Sequence, residues 1–397
     1  MIPGLTDQYH SLFLHTPNPF LRLSIIVPAK DEADFITGTL DALRLQVDDS
    51  GNAIAQHIYE VLVLANNCTD STFEICKHYQ KQYPNFNLFV EAVQISAEHA
   101  NIGTVRRLLM DAAYERLLKT AGPRGIIVST DADSNVDQQW VHQILYEMEK
   151  GVDVVGGRII PQGTPTLAKR HHLKDVGYRF LQTRLESELD PCESNPWPRH
   201  FQCYGPSLAV TCEIYERAGR IPAIPFLEDE EFRKALKRID AKIRHSPKVI
   251  IYTSARLKGR VDFGFSVQLQ YWKEMTKRCE HQMVESFDCL HLKLRLKNEF
   301  RLLWKAVKAG REMTLETNAL AFKMGFELDA VCAWLNQGHY FEAVWEEIES
   351  VLMVRLTKLM PLQPISDSIR ELRSYFSGLA VMSKPMSVDQ TATALWA

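Results

Sequence analysis

Apolar runs of strand length alternate with segments of helical periodicity over the first part of the chain. The run before Pro28 is followed by apolar residues at Phe35, Ile36, Leu40 and Leu43, a spacing that is typical of one helix face. Further runs of this kind are VLVL, LFVEAV, IIVS and VDVV. Strands that alternate with helices predict a mostly parallel sheet with helices on both faces. Ligands of such sheets bind at the carboxyl ends of the strands.

The alternation stops at residues 161–204 and fades beyond Trp272. Residues 161–204 combine clustered Pro, His and Arg residues, and they predict a partly helical insertion over the sheet. With 397 residues, the chain is long enough for two units. The pattern predicts an α/β domain over residues 1–275 and a helical region over residues 276–397.

Composition and charge narrow the class of protein. The 46 basic and 49 acidic residues give a net charge of −3, so a general attraction to nucleic acid is not expected. Eight cysteines without zinc-site spacing are expected to be reduced thiols. The first residues lack the pattern of a signal peptide, and no apolar run has the length of a membrane span. The sequence therefore predicts a cytoplasmic protein.

Two carboxylates, Asp131 and Asp133, come directly after the run IIVS. Their oxygens are suited to a divalent cation that is shared with a phosphate, although the same spacing is common in turns and helix caps. The loops after the first two strands also carry polar residues, among them Glu32 and Asn66. Because these loops are expected at one edge of the sheet, together they predict a site for a base, a ribose and a metal-bound diphosphate.

Three further segments offer charged groups. Arg106 follows a glycine in the opening turns of a helix, where it can bind phosphate or form a solvated basic face. The acidic residues 228–231 open another helix, as the helix dipole favours, and one of them could act as a general base. Arg256 and Arg260 follow a strand, where they can clamp a phosphate or balance the acidic segment.

In this order the motifs resemble the family 2 glycosyltransferases with a GT-A fold. The matching segments are IIVPAKDE, VLVLANNCTDST, NIGTVRR, STDADS, GPSLAVTCEIYERAG and LEDEEF. The resemblance covers about residues 21–272. It implies a mostly parallel GT-A sheet flanked by helices, residues 161–204 as an acceptor-side insertion, and residues 276–397 as a C-terminal α-helical extension.

The resemblance also implies a role for each matching residue. Asp133 would hold Mn²⁺ or Mg²⁺, and Asp229 would be the catalytic base of an inverting transfer from a nucleotide-diphosphate sugar to an acceptor hydroxyl. The residues that would bind the donor nucleotide are Pro28, Ala29, Glu32, Asn66, Arg106 and Asp131. Further candidates for phosphate or acceptor contacts are Glu228, Arg256 and Arg260.

Two departures from the family pattern bear on the substrate. Asn66, Asn67 and Cys68 stand where the family often has Asp-Gly-Ser, so the nucleotide base stays open, with a UDP-sugar as the expected donor. The segment QLQYW keeps only the Gln and the Trp of the box found in processive synthases. A single sugar addition is therefore expected.

Other functions stay open beside this one. A nucleotide-sugar-binding protein without turnover would keep the nucleotide pocket without needing Asp229. A sugar-phosphate nucleotidyltransferase uses a related sheet, but it would want a Gly-rich basic loop after the first strand, where this chain has PAKDEAD. The G-x-G-x-x-G pattern of nicotinamide enzymes does not occur.

Residues 290–311 carry a basic stripe at Lys293, Lys297, Arg301, Lys305 and Lys308, next to apolar residues at helical spacing. This pattern is typical of a helix at an anionic membrane surface and also of a packed helix with a solvated face, and the second is the more common case. Weak peripheral contact with the inner face of a membrane through residues 290–311 is thus one expectation. The aromatic helices that follow are expected to pack together or to form a homodimer.

Overall fold

The computed structural model of the protein describes residues 12–163, 166–254 and 264–382. The first elements are β1 (Leu23–Ala29), α1 (Ile36–Arg44), β2 (Tyr59–Asn66), α2 (Thr72–Gln82), β3 (Leu88–Val93), α3 (Ile102–Leu118), β4 (Ile126–Ser129), β5 (Ser134–Val136), α4 (Trp140–Glu149) and β6 (Val154–Gln162). They are followed by α5 (Thr166–Leu189), β7 (Leu208–Thr211), α6 (Cys212–Arg217), α7 (Glu228–Arg238), β8 (Ile243–Ser254) and α8 (Phe265–Lys277). The C-terminal elements are β9 (Met283–Val284), α9 (Phe287–Lys308), α10 (Thr314–Met324), α11 (Leu328–Asn336), α12 (Phe341–Leu359), β10 (Gln363–Pro364) and α13 (Ile365–Met382).

The main sheet has eight strands in the order β3-β2-β1-β4-β7-β6-β8-β5. Strands β1 to β4 pair in parallel, with Leu23 opposite Tyr59 of β2 and Ile126 of β4. Strand β7 runs antiparallel to both of its neighbours, so the sheet as a whole is mixed. The segment KVIIYTSARL has the sequence of an edge strand, but β8 lies between β6 and β5. The predicted class, an α/β sheet flanked by helices with a helical C-terminal extension, is confirmed.

Helices cover both faces of the sheet, and this explains why the sequence of β1 is apolar at successive positions. Leu23, Ile25 and Val27 pack with residues of α1, α2 and α4. Ile26 points to the opposite face and packs with residues of α3. Because side chains alternate between two buried faces, a polar residue is excluded from most positions of the strand. The carboxyl end of β1 is thereby held firmly in the centre of the sheet.

The C-terminal helices have a core of their own and also pack on the rest of the chain. Phe300, Trp345 and Ile348 belong to the core formed by α9 to α12. A second cluster joins Tyr178 and Leu185 of α5 to residues of α9 and α13. Helix α5 and the loop after it thus occupy the segment predicted as an insertion. The division of the chain at residue 275 stays a prediction.

Part of the basic stripe of α9 faces carboxylates inside the protein. Lys297, which is 7% exposed, places its Nζ 3.0 Å from Glu342 Oε1. Arg301 Nη2 lies 2.8 Å from Asp190 Oδ2, and Lys293 Nζ lies 2.9 Å from Glu285 Oε1. These contacts favour the packed-helix interpretation, whereas membrane contact through residues 290–311 and a homodimer stay predictions. Over the described part of the chain, none of the helices combines the length and apolarity that crossing a bilayer requires.

A buried histidine links the stability of the fold to pH. His200 is 4% exposed, its Nε2 donates to the Ser246 carbonyl over 3.0 Å, and its Nδ1 accepts from the Gln202 N–H. Burial lowers the pKa of His200 to about 4, from an ordinary value of 6.5. As the pH falls from 6.5 towards 4, the unfolded chain therefore takes up a proton that folded His200 does not accept. Stability from this source is complete above pH 6.5 and is lost below it.

Because the pKa of His200 differs between the folded and unfolded chain, we expect the free energy of unfolding to fall by about 2 kcal/mol when the pH is lowered from 7.5 to 5. Urea denaturation of wild type and of His200→Gln at the two pH values measures this effect, and the variant should show the smaller pH dependence. His57→Gln changes an exposed histidine and should keep the wild-type dependence. Equal pH dependence in wild type and His200→Gln would contradict the expectation.

Candidate functional site

A cavity of about 2130 Å³ opens at the carboxyl ends of β1, β2 and β4. The sequence-predicted residues that line it are Pro28, Glu32, Asn66, Arg106, Asp131, Asp133, Glu228 and Asp229. Ala29 is buried and does not line the cavity. Arg256 and Arg260 lie outside the described residues. The loops after three strands and the start of α7 therefore share one cavity.

The loops after β1 and β2 brace one another. Asp31 has a φ of 52° and Asn67 a φ of 48°, a left-handed conformation that Asp and Asn tolerate better than most residues. The Thr69 N–H donates to Asp31 Oδ1 over 2.6 Å, and the Glu32 N–H donates to Thr72 Oγ1 over 2.8 Å. This bracing fixes the backbone at Glu32, which is buried at the cavity wall.

The D-x-D motif, formed by Asp131 and Asp133, begins two residues after the end of β4. The side chain of Asp131 accepts from Arg106 Nη2 at Oδ1 over 3.0 Å, and both Asp131 and Asp133 line the cavity. Burial raises the pKa of Asp131, although the neighbouring Arg106 guanidinium opposes that shift. Two carboxylates in a polar cavity form a donor set of hard oxygens that fits a divalent cation such as Mn²⁺ or Mg²⁺.

Arg106 stands between the D-x-D motif and α7. Arg106 is 3% exposed, and its guanidinium also donates from Nη1 to Ser129 Oγ over 3.1 Å. Its Nε lies 3.3 Å from Glu228 Oε1. Burial opposes the positive charge, but the carboxylates of Asp131, Glu228 and Asp229 outweigh it and raise the pKa of Arg106. The arginine is therefore a fixed cation inside an acidic site.

Glu228 and Asp229 open α7 after a residue in an unusual conformation. Leu227 has a φ of 61° and a ψ of 24°, the left-handed region that costs a leucine free energy. Asp229 Oδ2 accepts from the Gly205 N–H over 2.8 Å, and its Oδ1 accepts from the Glu230 N–H over 2.8 Å. Glu228 is 4% exposed, and burial raises its pKa. Both carboxylates line the cavity, and Asp229 is the more exposed of the two.

The cavity continues beyond Asp229 towards residues that the sequence did not single out. Arg179, Tyr204 and Arg233 line it there. The two arginines are already paired, since Arg179 Nε donates to Asp175 Oδ2 over 3.0 Å and Arg233 forms two hydrogen bonds with Glu230. Residues of α9 and α12 line the far part of the cavity. The cavity therefore extends well beyond the acidic residues.

Sequence comparison assigns the part of the chain that carries the D-x-D motif and Arg106. Residues 24–197 match the sequence model of glycosyl transferase family 2. The chain carries a glycosyl transferase family 2 domain. The predicted membership of this family is confirmed for residues 24–197. The matched segment contains β1 to β6 and α5, and thus the D-x-D motif and Arg106.

A curated relative of the domain is glycosyltransferase AglE of Haloferax volcanii. It is 29% identical over 143 residues, which are 36% of this chain and 40% of the relative. The similarity thus spans less than half the length of that protein.

Solved structures with weak overall similarity were also found. TarS of S. aureus in complex with UDP-GlcNAc is 15% identical, with 90% of this chain and 92% of that chain covered and a TM-score of 0.43. The mannosyltransferase PcManGT of Pyrobaculum calidifontis, in complex with GDP-Man and Mn²⁺, is 14% identical, with 96% and 93% covered and a TM-score of 0.41. At these TM-scores the likeness adds nothing to the site described above.

Proposed function

We propose that the protein transfers a sugar from a nucleotide-diphosphate sugar to an acceptor hydroxyl. The observation that carries the proposal is the meeting of the D-x-D motif and Asp229 in one cavity at the carboxyl edge of the sheet. The family 2 match over residues 24–197 supports it, because that segment contains the D-x-D motif, for which the resemblance implies a donor-side role. The base at Asp229 follows from the resemblance alone.

The donor nucleotide would bind at the ends of β1 and β2. Pro28, Glu32 and Asn66 line that part of the cavity and are suited to contact a base and a ribose through apolar, carboxylate and amide groups. The resemblance makes a UDP-sugar the first donor to test. Ala29 is not part of this proposal, because it does not line the cavity.

A divalent cation would be held by Asp133, with the D-x-D partner Asp131 beside it. When bound, Mn²⁺ or Mg²⁺ supplies positive charge that favours departure of the nucleoside diphosphate. The assignment of the ion to Asp133 follows the resemblance, and Asp131 Oδ1 accepts from Arg106 Nη2 beside it. Both carboxylates line the cavity, which is open to the entry of an ion.

Asp229 would act as the general base. Its carboxylate takes the proton of the acceptor hydroxyl while the hydroxyl oxygen forms a bond to the anomeric carbon. The bond from that carbon to the donor phosphate oxygen breaks on the opposite side, and the nucleoside diphosphate leaves with the electron pair. This course inverts the anomeric configuration. The hydrogen bonds from Gly205 and Glu230 hold the carboxylate in place.

A binding screen followed by a turnover assay tests the proposal. Thermal unfolding is recorded with a panel of UDP- and GDP-sugars, each in Mn²⁺ and in EDTA. A donor at 100 times its Kd should raise Tm by about 5 °C, and more strongly in Mn²⁺. The donors that bind are then incubated with sugar and lipid-linked acceptors, and release of the nucleoside diphosphate is followed. Binding without turnover for every donor and acceptor would instead identify a nucleotide-sugar-binding protein.

A further inference from the structure

The buried side chain of Arg106 connects the two acidic halves of the site. Asp131 lies on the donor side, after β4, and Glu228 lies at the start of α7. The guanidinium reaches both, with Nη2 3.0 Å from Asp131 Oδ1 and Nε 3.3 Å from Glu228 Oε1. Its third nitrogen, Nη1, donates to Ser129 Oγ. Nη1 and Nη2 thus form hydrogen bonds, whereas buried Nε forms none and meets Glu228 as an ion pair.

The backbone at Gly205 is shaped around this guanidinium. A Cβ atom at position 205 would stand 1.7 Å from Arg106 Nη1 and 2.5 Å from its Cζ. The φ of Gly205 lies outside the left-handed region, so the glycine is required for space and not for its backbone conformation. The same residue donates its N–H to Asp229 Oδ2 over 2.8 Å. The position of Arg106 therefore determines where the backbone that holds Asp229 can lie.

We infer that Arg106 is a positioning residue that sets the placement of Asp229 relative to Asp131, acting through Glu228 and Gly205. The inference rests on the proposed function, because Asp229 is the base only in that reaction. It differs from the role that the resemblance implies, in which Arg106 supports the diphosphate. A planar guanidinium suits this task, since directional hydrogen bonds from Nη1 and Nη2 fix it against Ser129 and Asp131 while its charge attracts Glu228.

Two single variants disturb the guanidinium in different ways. Arg106→Lys keeps the positive charge but loses the planar guanidinium with its several donors. Gly205→Ala keeps every charged group but displaces the guanidinium. We expect each to lower kcat about 100-fold, because Asp229 loses its alignment with the reacting carbon. The dissociation constant of UDP in Mn²⁺, measured by calorimetry, should stay within about threefold of the wild-type value.

The chain offers a matched control for each variant. Arg107→Lys changes the neighbouring arginine, which pairs with Asp111 over 2.6 Å and does not line the cavity. Gly177→Ala changes a glycine of α5 whose added Cβ would meet nothing within 4 Å. Both controls should keep wild-type kcat. A loss of UDP affinity of tenfold or more in Arg106→Lys alone would make Arg106 a phosphate ligand, and wild-type kcat in Gly205→Ala would also overturn the inference.

A measurement without turnover separates this inference from the proposed function. Arg106→Met leaves the buried Glu228 without its cation and should lower Tm by about 5 °C or more. Adding Glu228→Gln in the same chain should restore at least half of the loss, because the unpaired charge is then gone. No recovery in the double variant would overturn the role of Glu228 in the link. If wild type transfers no sugar, the proposed function fails, while the Tm and UDP data still report on the link itself.

Discussion

Replacing Asp229 by Asn should lower kcat for sugar transfer by about 10³-fold and leave the affinity for UDP within about threefold of wild type. The amide has the size of the carboxylate but cannot accept the proton of the acceptor hydroxyl. Its single side-chain oxygen can still accept from the Gly205 N–H, which now holds Asp229 Oδ2 at 2.8 Å, while the contact from the Glu230 N–H is lost. Release of nucleoside diphosphate measures the first quantity, and calorimetry measures the second.

Glu231→Gln is the matched control for this change. Glu231 lies two residues further along the first turn of α7, pairs with Lys234 over 2.7 Å and does not line the cavity. It should keep wild-type turnover. If Asp229→Asn retained more than about a tenth of the wild-type kcat, the base would have to be another group, since proton transfer to a base is worth more than that.

Replacing Asp133 by Ala should abolish the dependence of nucleotide binding on metal. In wild type we expect UDP to bind at least about tenfold more tightly in Mn²⁺ or Mg²⁺ than in EDTA, because the ion joins the diphosphate to the carboxylates. Without the Asp133 carboxylate the two affinities should become similar, and transfer should fall on the order of 10³-fold. Titration of UDP in each buffer, followed by a rate measurement, provides both numbers.

Asp137→Asn provides the comparison within the same loop region. Asp137 accepts from the Gln139 N–H over 3.0 Å and does not line the cavity, so its loss should leave the metal dependence unchanged. If the wild-type protein bound UDP equally well in EDTA and in Mn²⁺, the D-x-D motif would stabilise the loop and would not bind an ion. That outcome would leave the prediction for Asp229 standing.

The central part of the sheet could be predicted from local pattern alone, but its other side could not. Strands β1, β2 and β4 are buried on both faces, and such strands have uninterrupted apolar runs. Strand β5 has only three residues, too few for a periodic signal. On one side β8 pairs with β5, a strand of only three residues. The sequence of β8 is therefore similar to that of an edge strand.

The acidic motifs of the site could also be predicted, because they follow strands or open a helix. Their connection could not be predicted, since Arg106 meets Glu228 across more than a hundred positions of sequence. In the sequence Arg106 has the pattern of a phosphate ligand, and only the structure shows that its nitrogens have protein oxygens as neighbours. Gly205 likewise gives no signal beyond being a glycine, because the need for it comes from a distant side chain.

The ion pairs of α9 determine how the chain can be shortened. Asp190, at the end of α5, is 4% exposed and is compensated by Arg301 of α9. A chain that ended at residue 275 would keep this carboxylate without its partner and would expose Tyr178 and Leu185, which now pack against α9 and α13. Such a fragment would keep every acidic residue of the candidate site, but its fold would be less stable. Mutational studies of the transfer reaction therefore need the C-terminal helices in the chain.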